Sequence, residues 1–213
     1  MRYLFLLLPI FMTGTALADS PLTSTNFAEA YANEKMVMYV AIKGLDDKAL
    51  DYLGDKKNDP VIKLAMINQL SWGNMDYVKQ FETYLIEKRK VKVKVFDYLR
   101  ELTGEDSAEN KWTKKLTADD LMCWSYLQAL SNYFEPALSR AGAEIGMQRD
   151  PESMAHAAVY CLISCQVVFD QSWCLIYKFG QEYFVEYEFS KNKLLPEAVQ
   201  IILDYLNLYQ SDC

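Results

Sequence analysis

Helix-start signals followed by apolar runs are the feature that most limits how this chain can fold. Asp59-Pro60 precedes an apolar run with helical spacing, and Asp150-Pro151 repeats the pair farther along the chain. An Asp side chain accepts the first free backbone N–H groups of a helix, and proline fits its first position. Thr117 and Asp120 have the spacing of a capping box. These signals predict an all-α fold of stacked antiparallel helix pairs.

Two segments have patterns that suit either a strand or a helix. Lysine and valine alternate over residues 90–95, which is typical of a strand. A longer set of residues shares one helical face, so we expect a helix there: Val91, Val95, Tyr98, Leu99 and Leu102. Residues 183–189 are predicted to be helical for the same reason, because their aromatic side chains continue the helical face that begins at Trp173.

Residues 1–18 have the features of a secretory signal peptide. Arg2 provides the positive charge, residues 3–12 are mostly apolar, and Ala16-Leu17-Ala18 forms a small-residue cleavage signal. The apolar run has about half the length that a membrane-spanning helix needs. Asp19 follows the cut, where a bacterial lipoprotein would carry a cysteine. We therefore expect a mature chain of residues 19–213 that is periplasmic or secreted, has no membrane anchor and forms a single all-helical domain.

The excess negative charge lies in the C-terminal half. Residues 19–104 contain 13 basic and 13 acidic residues, whereas residues 105–213 contain 8 basic and 16 acidic ones. Residues 104–116, which are polar at their start, are the predicted hinge between the two halves. An acidic field repels nucleic acid and favours cationic partners. This predicts a protein partner with a basic surface and no nucleic-acid partner; the other interpretation is solubility alone.

Three of the five cysteines lie between residues 161 and 174. After export, nearby thiols pair. Zinc sites use four ligands, and the chain has one histidine, so we predict no metal. The polar residues 170–172 predict a turn between two helices. Cys165 and Cys174 are equidistant from this turn, so we predict that they face each other and form a disulfide.

The remaining cysteines are harder to place. Cys123 and Cys161 are a second candidate pair, and Cys213 is predicted to be unpaired. The alternative is that the cysteines are buried free thiols, which behave as small apolar side chains.

The sequence contains no nucleophile elbow, phosphate loop or zinc-peptidase motif, so no catalytic residue and no cofactor are predicted. His156 lies in an apolar helix face and is predicted to be a core histidine. Asp119 and Asp120 are interpreted as helix caps.

A predicted binding patch combines acidic and aromatic residues that suit a basic partner, with a solvated helix face as the other interpretation. Its members are Glu182, Tyr183, Glu186, Tyr187 and Glu188.

Residues 47–73, with the sequence DKALDYLGDKKNDPVIKLAMINQLSWG, resemble a HEAT-type helical repeat, and residues 149–165 resemble the start of a second helix of such a unit. The resemblance implies a solenoid that binds another macromolecule on a concave surface; an irregular bundle is the alternative architecture.

In size, export and helicity the chain is also similar to the amidase-immunity proteins of type VI secretion. That similarity implies an immunity protein that neutralises a periplasmic toxin. A cell-envelope hydrolase with carboxylates brought together by folding, or a structural envelope component, are the alternatives.

Overall fold

The computed structural model describes residues 20–71, 73–102 and 113–213, so the predicted signal peptide and residues 104–112 of the predicted hinge lie outside it. Within these ranges the chain is helical and has no β-strand, which confirms the all-α prediction. The α-helices are α1 (Lys35–Lys43), α2 (Asp47–Gly54), α3 (Pro60–Leu70), α4 (Met75–Arg89), α5 (Lys94–Glu101), α6 (Ala118–Ser131), α7 (Ala137–Arg149), α8 (Met154–Val168), α9 (Trp173–Gln181) and α10 (Pro196–Leu206). Shorter turns are the 3-10 segments Phe27–Tyr31 and Asn207–Asp212 and the π-helical turn Glu182–Glu186.

Helix α6 lies at the centre of the fold. It packs against α2, α3, α4, α7 and α8, and every residue from Asp120 to Ser131 is buried. A helix that is apolar on all sides must be enclosed, because it has no face suited to water. The chain also closes on itself: the turn Phe27–Tyr31 packs on α10, and Leu195 N donates to Tyr31 Oη at 2.8 Å. An enclosed central helix is a bundle-like feature, and the resemblance to HEAT repeats stays a prediction.

The close approach of α7 to α6 depends on a glycine. A Cβ atom at Gly142 would lie 2.5 Å from Ser125 Oγ and 2.8 Å from the Trp124 ring. Both distances are shorter than van der Waals contact. A larger residue at position 142 therefore requires that α7 or the Ser125 and Trp124 side chains move.

Two of the three predicted helix starts are confirmed. Asp59 accepts from Val61 N at 2.8 Å, and the capping box between Thr117 and Asp120 has both of its hydrogen bonds. The third is confirmed in part, because a helix covers the predicted apolar run from Met154, but its N-cap is Ser153 and not Asp150. Asp150 instead ends α7, and its carboxylate lies 2.7 Å from Lys191 Nζ.

The two ambiguous segments are only partly helical. Lys90 has a left-handed backbone (φ 54°) that ends α4, and α5 begins at Lys94, so the predicted helix over residues 91–93 is absent. Helix α9 likewise ends at Gln181, before the π-helical turn Glu182–Glu186, and the backbone is extended from Tyr187.

The extended segment beyond Tyr187 crosses the start of α8. Met154 N donates to Lys191 O at 3.1 Å, and Lys191 N donates to Glu152 O at 3.1 Å. The chain therefore leaves helical geometry before it reaches Lys191, whose backbone pairs beside the start of α8, a tertiary contact that local periodicity does not report.

An ion pair to a buried carboxylate fixes the start of α6. Arg89 Nε and Nη2 donate to the two carboxylate oxygens of Asp120 at 2.9 and 3.1 Å, and Nη2 also donates to Gly54 O at 2.7 Å. Asp120 is fully buried. One guanidinium thus joins α2, α4 and α6. The hydrogen bonds that Arg89 donates to Asp120 raise the pKa of Arg89 and keep it charged, against the opposing effect of burial.

The described end of the predicted hinge is anchored. Thr113 and Leu116 are buried, and the Arg149 guanidinium donates to both of their carbonyl oxygens. This contact holds residues 113–116 against the last turn of α7.

Replacing Arg89 by alanine is expected to lower the free energy of unfolding by about 3 kcal/mol, because Asp120 then stays buried without a counter-charge. The neighbouring residue Lys88 provides a matched control. Its ion pair with Asp51 is exposed at 3.8 Å, so Lys88→Ala is expected to cost less than about 1 kcal/mol. Urea unfolding of both variants measures the two losses in unfolding free energy. Equal losses would show that burial of Asp120 does not require the ion pair with Arg89.

Candidate functional site

The predicted acidic and aromatic patch lies at the end of α9 and beyond it. Glu182, Glu186, Tyr187 and Glu188 are exposed, whereas Tyr183 is half-buried. The Tyr183 ring packs edge-on against Tyr160, 5.9 Å between centroids. Burial raises the pKa of Tyr183, and the nearby carboxylate of Glu182 adds to that rise. Tyr183 is therefore part of the core edge, and the other four residues remain available at the surface.

A second surface, which sequence reasoning missed, surrounds the turn between α8 and α9. A cavity of about 450 Å³ is lined by Asp170, Trp173 and Asp212, among others. A neighbouring cavity of about 310 Å³ is lined by Phe134, Phe169 and the same Asp170. We call the five residues Phe134, Phe169, Asp170, Trp173 and Asp212 the α8–α9 surface.

Large apolar side chains are exposed on and beside this surface. Phe134 is 79% exposed, Trp173 is 53% exposed and Leu208 is 66% exposed. The Tyr209 ring lies 6.0 Å from the Trp173 ring and 6.1 Å from the Phe169 ring. Exposed aromatic groups of this size are typical of interaction sites. A signal is present in the sequence, because Trp173 directly follows the polar residues 170–172, but those residues by themselves indicate only a turn.

The disulfide joins Cys174 to Cys213, with a Cα–Cα separation of 4.8 Å. The predicted Cys165–Cys174 pair is therefore wrong, and so is the expectation that Cys213 is unpaired. Cys165 is fully buried, with its Sγ 3.8 Å from Ile176 O and 4.0 Å from Cys161 Sγ. Cys165 and Cys174 are equally far in sequence from the turn, which correctly predicted that Cys165 lies beside α9. The spacing does not show that the Cys165 thiol points into the core.

The other cysteine prediction is also wrong. Cys123 and Cys161 are unpaired. Together with Cys165 they are buried free thiols, which was the alternative to disulfide formation. Burial raises the pKa of Cys123 and of Cys161. Neither thiol is in a state that favours nucleophilic chemistry.

The disulfide has a consequence for the α8–α9 surface. It fixes the 3-10 segment Asn207–Asp212 against the start of α9, and Cys213 Sγ lies 3.4 Å from Cys174 O. This covalent link brings Asp212 to the cavity that Asp170 and Trp173 line. Residues separated by 42 positions in the chain thus form one surface.

A buried chain of side chains has the residue types of a serine-hydrolase triad. Ser153 Oγ lies 2.6 Å from His156 Nδ1, and His156 Nε2 lies 3.1 Å from Asp119 Oδ1. A catalytic serine must reach a substrate, and it relies on a carboxylate that is free to stabilise the protonated imidazole. Neither condition holds here. Ser153 is fully buried and accepts from Asn192 Nδ2 at 2.8 Å, and Lys63 Nζ lies 2.6 Å from Asp119 Oδ2.

This chain of contacts therefore belongs to the fold. His156 is buried, as predicted for a core histidine. Asp119 is not the helix cap that was expected, since its carboxylate is used by Lys63 and His156. Burial raises the pKa of Asp119, but the contacts with His156 and Lys63 outweigh burial and hold that pKa below its usual value. Lys63, fully buried in α3, needs this carboxylate as its counter-charge.

Two further findings concern the described part of the chain. No helix there combines the length and the apolar composition that crossing a membrane requires. Over the same residues, no group of three or more His, Cys, Asp and Glu side chains is placed to hold a metal ion.

Comparison with known proteins gives no relative, because no protein family, curated protein or solved structure matches the chain. The functional argument therefore depends on the geometry of these residues.

Replacing both Cys174 and Cys213 by serine is expected to lower the free energy of unfolding by about 2–4 kcal/mol, because the bond closes a long loop. Urea unfolding with and without a reducing agent measures this effect. Reduction should destabilise the wild type and leave the double variant unchanged. Peptide mapping without reduction provides an independent check, and a Cys165–Cys174 linkage in the map would contradict the structure.

Asp119→Asn is expected to destabilise the protein by about 3 kcal/mol at neutral pH, since Lys63 loses its counter-charge. Folding lowers the pKa of Asp119 below 3.8, so its stabilising effect is present above the unfolded-state pKa and is lost as the pH falls through the folded-state pKa. The difference in unfolding free energy between wild type and variant should therefore shrink as the pH falls from about 5 through the folded-state pKa. Urea unfolding across this range tests the prediction, and a constant difference would contradict it.

Proposed function

We propose that this protein is an exported protein-binding protein that uses its C-terminal surface to bind a basic partner. In its most concrete form it is an immunity or inhibitor protein that neutralises a periplasmic toxin or enzyme. The observation that carries the proposal is the exposure of large apolar side chains next to carboxylates at both ends of α9.

At one end of α9, exposed Trp173 lies beside Asp170 and Asp212. At the other end, Tyr187 is 52% exposed between Glu186 and Glu188. Interfaces are rich in aromatic anchors at their centres and polar at their rims. Both ends of α9 combine these two features.

We infer that a single partner contacts both ends. From Trp173 to Gln181, α9 rises about 12 Å. A protein–protein interface of ordinary size covers about 800 Å² of each partner, which is wide enough to include both ends. We infer that the carboxylates attract the basic partner and set its orientation, and that the aromatic rings supply most of the binding energy after docking.

Affinity capture with the mature protein, followed by reconstitution of the identified complex from purified components, tests the proposal. Charge reversal at one end of α9, by combining Glu182→Lys, Glu186→Lys and Glu188→Lys, is expected to weaken that complex at least about tenfold. Like charges then face each other across the interface. Calorimetry at low and high salt measures the loss of affinity. The affinity of the variant should depend less on salt than the affinity of the wild type does.

A matched control reverses three other exposed carboxylates that line the groove between α2 and α4: Asp47, Asp76 and Glu87. This variant has the same change in net charge and is expected to bind like wild type. Loss of binding in the control alone would place the interface elsewhere. Failure of the purified protein to form any reconstituted complex, together with release of soluble fragments from cell-wall material, would contradict the proposal and favour a hydrolase.

A further inference from the structure

The smaller cavity of the α8–α9 surface has polar groups that lack partners. It has a volume of about 310 Å³ and lies between the start of α7 and the last turn of α8. Gln166 lines it, and the Gln166 Oε1 atom is buried without a hydrogen-bond partner in the described structure. Buried polar atoms nearly always have a partner, and a rotation of the Gln166 side chain toward the cavity would let this acceptor meet a donor placed there.

Asp170 supplies the charge of this cavity. Among the described residues that line it, Asp170 is the only charged one. Its side chain is exposed, and no ion pair to it is present among the described residues. The carboxylate accepts hydrogen bonds only, as does Gln166 Oε1. The cavity thus presents one negative charge, beside a Gln166 side chain whose acceptor is not used by the fold.

Aromatic rings form the apolar part of the same cavity. Tyr133 and Phe134 both line it, with ring centroids 4.1 Å apart, and Phe169 lines it as well. Most of the Phe134 side chain is exposed to solvent. The face of an aromatic ring attracts a cation, and a planar guanidinium can also stack on it.

We propose that this cavity binds the guanidinium of an arginine side chain from the partner protein. Arginine suits the site better than lysine, because its planar group carries five N–H donors that can serve Asp170 and Gln166 together while it stacks on an aromatic ring. The match is one of charge and of hydrogen-bonding type: acceptors and aromatic rings on this chain, donors and a delocalised cation on the partner. The inference rests on the proposed function, since it specifies what a basic partner inserts.

A titration with small molecules tests the site without the partner. The probe is Nα-acetyl-L-arginine amide, and the control is Nα-acetyl-L-citrulline amide, which has nearly the same shape but no charge. We expect saturable NMR shifts in residues 133–134 and 166–170 with the arginine compound, and at least about tenfold weaker binding of the citrulline compound. Absence of saturable shifts at these residues, or equal affinity for both compounds, would overturn the proposal.

Variants separate binding from stability. Asp170→Asn should weaken binding of the arginine compound by about tenfold, whereas Asp204→Asn, at an exposed position on α10, should leave it unchanged. Gln166→Leu removes the unpaired acceptor, so it should weaken binding without lowering the thermal midpoint. A lower midpoint with unchanged binding would mean that Gln166 serves only the fold and would overturn its assigned role.

The same variants distinguish this inference from the proposed function. If the reconstituted complex forms equally well with Asp170→Asn, the arginine site is wrong and the proposed function stands. If the cavity binds the arginine compound selectively but no partner complex can be reconstituted, the site stands and the proposed function fails.

Discussion

The fold depends on two ion pairs at the start of α6, in which each of two neighbouring carboxylates contacts its own cation. An enclosed helix can begin with Asp119 and Asp120 only if each charge has a partner. Lys63 and Arg89 supply those partners from α3 and α4. Leaving a buried charge unpaired costs several kcal/mol, a large share of the stability of a domain of this size. The other helices therefore assemble around α6 in one arrangement that brings both cations to its first turn.

This constraint explains how functional groups are distributed. Ser153, His156 and Asp119 converge, yet they do so in the interior, where Asp119 also pairs with Lys63 and where a substrate has no access. Outside the core, acidic and aromatic residues lie at the two ends of α9, and at its start the disulfide holds the C-terminal turn in place. The same residue types thus stabilise the fold when they are buried and suit recognition when they are exposed.

The sequence predicted what is decided locally. The helix starts at Asp59 and Thr117 depend on hydrogen bonds within three residues, and both were predictable. Asp150-Pro151 looks the same but has another role, because Lys191, 41 positions away, binds the Asp150 carboxylate. The Cys174–Cys213 bond and the α8–α9 surface likewise join segments that are distant in the chain. Such contacts depend on how the helices pack against one another. The spacing of residues along the sequence does not show which helices will be neighbours.

Hydrogen exchange of the free protein and of its reconstituted complex tests most directly whether the interior serves the fold and the ends of α9 serve recognition. The account predicts that the amides of α6 are the slowest to exchange in both states and change little on binding. It also predicts that residues 166–173 and 182–188 gain protection in the complex. Fast exchange in α6, or new protection confined to the groove between α2 and α4, would contradict the account.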